Sequence, residues 1–154
     1  FFVGGLAVLA VALVIFIRYR KLSVSIPVIG GMLSEVVLIV GFAALVGWNI
    51  DLASIAGIII SIGTGVNHLI IISDESLKKE SAEESYLGMK EKIKRAFFII
   101  FASYSAVFVA MLPLLFAGAG LLKGFAITTI AGISFGVFIA RPAFAEIIQI
   151  VLKE

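Results

Sequence analysis

The chain has 154 residues, 62% hydrophobic and only 14% charged, with a mean hydropathy of +1.21. Soluble domains run nearer ~45–50% apolar and ~25% charged, so the composition excludes a water-soluble fold and a disordered chain alike. With no Cys and one His, disulfides and thiolate sites are excluded and the several His or Cys ligands usual for an all-protein zinc site are lacking; in a membrane protein the position of the basic residues matters more than the net charge of +2.

A helix needs about 20 apolar residues to cross a bilayer. Five runs qualify in chain order: 1–17, 25–47 (interrupted by Glu35), 52–73, 96–117 and 121–140. They are far longer than the ~9–11 residues of a barrel strand and do not alternate. The expected fold is therefore an all-α integral membrane protein forming one transmembrane domain, 1–154. The connector 74–95 is expected to form an amphipathic helix on the membrane surface. Ser81 and Glu84 fit a capping box, and Ala82, Tyr86, Met89, Ile93 and Phe97 recur at helical spacing. A plain solvated linker helix is the alternative.

Lys and Arg set the orientation. The first connector holds Arg18, Arg20 and Lys21, the second none, and the third six between Lys78 and Arg95. The fourth holds Lys123, and the tail Arg141 and Lys153. This alternation places the first and third connectors and the tail in the cytoplasm, with Trp48 at the outer interface. An N-terminus outside the cell, on a chain starting Phe-Phe, predicts an earlier span and an extracytoplasmic segment upstream.

A charge at mid-bilayer costs at least ~2.5–3.5 kcal/mol on insertion scales, so Glu35 needs a reason. Either it stays protonated and bonds a neighbouring helix, or it takes and releases a proton between helices. In the third span, Ser54, Gly57, Ser61, Gly65 and His68 share a face by helical spacing, which predicts close helix approach. Asn67 points elsewhere, with Gly63 and Ile60. His68 either titrates or only hydrogen-bonds; Asn67 cannot titrate. In the fourth span Pro113 predicts a kink. The fifth span carries Gly124, Thr128, Gly132, Gly136 and Ala140 at four-residue steps, a second packing face. Arg141-Pro142 is expected to end that span at the cytoplasmic surface, because the residue before Pro disfavours helix. The tail 143–154 then turns along the interface.

Enzyme chemistry finds little support. An intramembrane aspartyl protease needs two membrane Asp residues, and none lies deep in a span. Ser61 is too far along its helix from His68 for a Ser–His dyad. No catalytic residue, metal site or cofactor is expected, and a passive membrane scaffold stays open.

Two stretches carry a resemblance. Residues 51–75 read DLASIAGIIISIGTGVNHLIIISDE and 118–126 read GAGLLKGFA. Together they resemble the SecD protein-export family of the RND transporter superfamily, in its archaeal form, across essentially the whole chain. The resemblance implies the second to sixth helices of an RND-type six-helix half. It also implies a role beside SecF and the Sec translocon channel, pulling unfolded secretory polypeptides outward through the cytoplasmic membrane with the proton-motive force. That family places a membrane Asp where this chain has Asn67. Proton transfer would then fall to Glu35 and His68, or Asn67 would mimic a protonated carboxyl. Another RND-type permease, exporting a small molecule or lipid, is the alternative.

Overall fold

The computed structural model describes residues 2–77, 88–118 and 120–153. They form helices α1 (Phe2–Tyr19), α2 (Leu22–Val46), α3 (Leu52–Leu77), α4 (Met89–Ala117), α5 (Leu121–Phe135) and α6 (Arg141–Lys153). A π-helical turn, Gly136–Ala140, joins α5 to α6 without a break. No strand occurs among the described residues. Four stretches are long and apolar enough to span a membrane: α2, α3, α4 and the continuous Leu121–Leu152 rod. The apolar part of α1, Gly5–Tyr19, is shorter. The chain is thus an all-α multi-pass membrane protein.

Each connection follows from local chemistry. Gly47 adopts φ +65 after α2, a left-handed conformation that costs glycine least. It donates its N–H to Ala44 O at 3.2 Å, and Trp48 donates to Ala43 O at 2.8 Å; these two bonds satisfy the last carbonyls of α2. Asp51 Oδ1 then accepts the Ser54 N–H at 2.7 Å and caps the start of α3. At the opposite end of α3, Asp74 receives Arg18 at 3.1 Å and the Tyr19 hydroxyl at 2.9 Å, tying α1 to α3.

α3 occupies the centre, touching α1, α2, α4, α5 and α6, with its largest contact on α5. The apolar core gathers Val28 and Met32 of α2, Ile62, Val66 and Leu69 of α3, and Phe144 and Ile148 of α6.

The structure differs from the sequence expectations at two places. Residues 74–77 continue α3 and 89–95 belong to α4, so the described ends of the connector prolong the spans. Ser81, Ala82, Glu84 and Tyr86 lie outside the described residues. The second difference matters more, because Arg141-Pro142 does not stop the fifth span. Proline removes an N–H and its ring crowds the carbonyl four residues back. The π turn just before it widens the helix, and the Arg141 N–H reaches Gly136 O instead. The rod therefore passes Pro142 and runs on to Lys153. Pro113 lies inside α4.

Candidate functional site

The small-residue faces of α3 and α5 meet directly. A Cβ at Gly57 would run into Thr128 Oγ1, and into Phe125 O at 2.8 Å. One at Gly132 would strike Ser61, and one at Gly124 would sit 3.1 Å from Ser54 Oγ. Ser61 Oγ donates to Gly57 O at 3.0 Å and lies 3.3 Å from Thr129 O. Backbones this close gain van der Waals contact that longer side chains would forbid.

Deeper along the same face lies a buried ion pair. Arg141 Nη1 donates to Glu35 Oε2 at 2.8 Å, and both side chains are 1% exposed. Glycines on two sides make the room. A Cβ at Gly65 of α3 would collide with Glu35 Oε2 and with Arg141 Nη2 at 2.5 Å. One at Gly136 would collide with Arg141 Nη1, and Arg141 Cζ would lie 2.6 Å from it. Gly65 and Gly136, which the sequence marked as packing residues, also frame the charges.

Arg141 is the functional residue that sequence reasoning missed. Its place before Pro142, after the apolar run 121–140, predicts a basic residue at the membrane surface. Helix side chains lean toward the N-terminus, and its guanidinium lies over Gly136, one π turn back along the helix. The head thus reaches inward to a carboxylate rather than outward to water. Two signals pointed that way: apolar sequence on both sides of Arg141, and an intramembrane acid needing a counter-charge.

The pair is single-pronged. Glu35 Oε1 and Arg141 Nε are buried without a hydrogen-bond partner. His68, also 1% exposed, places Nε2 3.2 Å from Ser103 Oγ of α4, while its Nδ1 has no partner. Glu35 and Arg141 thus meet at Gly65, and buried His68 lies three residues, about one turn, further along α3. Asn67 is not part of this group; it is exposed on the outer face of α3, as are Ile60 and Gly63. Among the described residues no cluster of His and acidic side chains could hold a metal.

The described residues thus form a helical integral membrane bundle with a charge pair sealed between its helices. Residues 2–149 match the family model for the C-terminal part of the protein export membrane proteins SecD and SecF, and the chain belongs to that family. It is 51% identical over 149 residues to a protein-export membrane protein SecD of Methanocaldococcus jannaschii, covering 97% of this chain and 36% of that one. It is 46% identical to the protein of that name from Haloferax volcanii, covering 98% and 29%. Likeness to a protein translocase subunit SecD of Synechocystis falls to 30%, covering 97% and 32%. The chain thus spans about a third of the length of the relatives it matches.

Proposed function

We propose that this chain is the membrane part of an auxiliary subunit of the Sec machinery. It works with SecF beside the translocon channel and uses the proton-motive force to move secreted polypeptides outward. Its C-terminus faces the cytoplasm, as the Lys and Arg distribution of the connectors predicts. The role is mechanical rather than enzymatic.

The observation that carries the reading is the buried Glu35–Arg141 pair with one carboxylate oxygen left free. A proton arriving at Oε1 would neutralise Glu35 and strip Arg141 of its counter-charge. Breaking a buried pair by removing one partner costs about 3–5 kcal/mol. One charge crossing the membrane releases about 2.3 kcal/mol per 100 mV. One or two protons per cycle therefore match the cost of opening this pair. His68 and Ser103 extend the polar groups toward α4 and offer the proton a second stop.

The test is reconstitution of the full-length protein with SecF and translocon in vesicles. Export is measured with and without a proton gradient, for wild type and Glu35→Gln. The reading expects gradient stimulation in wild type and its loss in the variant at equal folded yield. Equal export with and without the gradient in wild type would remove it.

A further inference from the structure

The π turn is the least expected feature of the fold. π turns are rare and occur mostly as single turns inside α-helices, frequently at functional sites. Here two features favour the wide turn: Pro142, which tolerates it, and Arg141, whose guanidinium lies across Gly136 and Gly65 to reach Glu35. The extra residue absorbed by the turn sets the azimuth of everything after it.

Rewinding has a definite geometric result. If Gly136–Ala140 became ordinary α-helix, each later residue would rotate by about 100° into the place its successor now holds. Arg141, now buried, would take the exposed place of Pro142. Buried Ala145 would take the exposed place of Glu146, and exposed Ala143 the buried place of Phe144. The rewound helix would also bend at Pro142, whose ring crowds the carbonyl of Phe138 in a regular helix. Each state thus carries a cost the other lacks: a rare turn and a buried pair in one, a proline kink in the other.

We propose that Gly136–Ala140 is a register switch set by the charge on Glu35: the ionised carboxylate holds the wide turn through Arg141, and neutralising it lets α6 rotate by one residue. The helices packed on α2 bring few other charged or titratable groups to interfere. α1 has Arg18 and Tyr19, both engaged with Asp74. α3 has His68 on Ser103, with Asp74 and Glu75 at its far end; α5 has Lys123 at its start; α6 adds Glu146, which is exposed, and Lys153 as its last residue. The inference builds on the export reading of the same site. Its test reads helix register alone, so failure of one is separable from failure of the other.

The experiment uses the full-length protein in membranes on a cysteine-free background, with single substitutions Ala143→Cys or Ala145→Cys. Photolabelling by a small lipid-soluble diazirine, read by mass spectrometry at each thiol, reports whether the position faces lipid or protein. With Glu35 intact, the thiol at 143 is labelled and the thiol at 145 is protected. In Glu35→Gln the order reverses, with labelling rising at 145 and falling at 143. Gly136→Ala supplies an independent arm, because its Cβ displaces the guanidinium while leaving Glu35 untouched; the same reversal is expected. An unchanged pattern in Gly136→Ala overturns the switch, as does one in a folded Glu35→Gln.

Discussion

Glu35 and Arg141 stand 106 residues apart in sequence and meet at 2.8 Å with neither side chain more than 1% exposed. Replacing a buried pair by apolar residues of similar volume is often neutral, whereas removing one partner costs about 3–5 kcal/mol. Arg141→Met alone should therefore lower the melting temperature of the purified protein sharply. Glu35→Leu combined with Arg141→Met should recover most of that loss while leaving export defective. A double variant no more stable than the single would mean that the two residues are not energetically coupled.

Gly65 and Gly63 lie two residues apart and make opposite predictions. A methyl at Gly65 meets the carboxylate and the guanidinium, while one at Gly63 meets nothing within 4 Å. Overpacking costs about 1–3 kcal/mol, so Gly65→Ala should destabilise by that order. Gly63→Ala should be neutral or gain up to about 1 kcal/mol from helix propensity. Thermal unfolding of the two variants side by side decides this.

The five apolar runs were legible because span length is a coarse count that composition alone can meet. The α3 and α5 faces were legible because four-residue spacing maps onto one side of a helix. Arg141 was not, for two physical reasons. The pre-proline rule predicts a helix end, and the π turn that evades it leaves no mark in hydropathy. Basic residues near a span end usually snorkel toward water, and only the fold shows that a carboxylate from α2 lies within reach. Asn67 differs again: its outward azimuth follows from spacing, but its separation from Glu35 needed the packing of α2 on α3.

Asp51 gives a pH-dependent prediction. Its hydrogen bonds with Ser54 hold its carboxyl below the usual carboxylate range. A carboxylate whose folded value is lowered stabilises the protein above its unfolded value, near ~3.9, and that contribution is lost as pH falls through the folded value. Wild type should lose this part of its stability on acidification below about pH 4. Asp51→Asn, which can still cap α3, should lack that component. A melting series across pH for the two proteins checks it; identical profiles would rule out a contribution from the Asp51 charge.

Asn67 occupies the place where the SecD family resemblance puts an acidic residue. Asn cannot carry a proton, so Asn67→Asp should raise gradient-dependent export if that surface of α3 shares in proton transfer. Export unchanged at equal membrane abundance would confine proton handling to the Glu35, Arg141 and His68 group.

The central claim is that the charge on Glu35 couples the proton gradient to export. The most direct measurement compares gradient-stimulated export by wild type and Glu35→Gln, each full-length, reconstituted with SecF and matched for folded yield. The account predicts stimulation in wild type and none in Glu35→Gln. Full stimulation in the variant would contradict it.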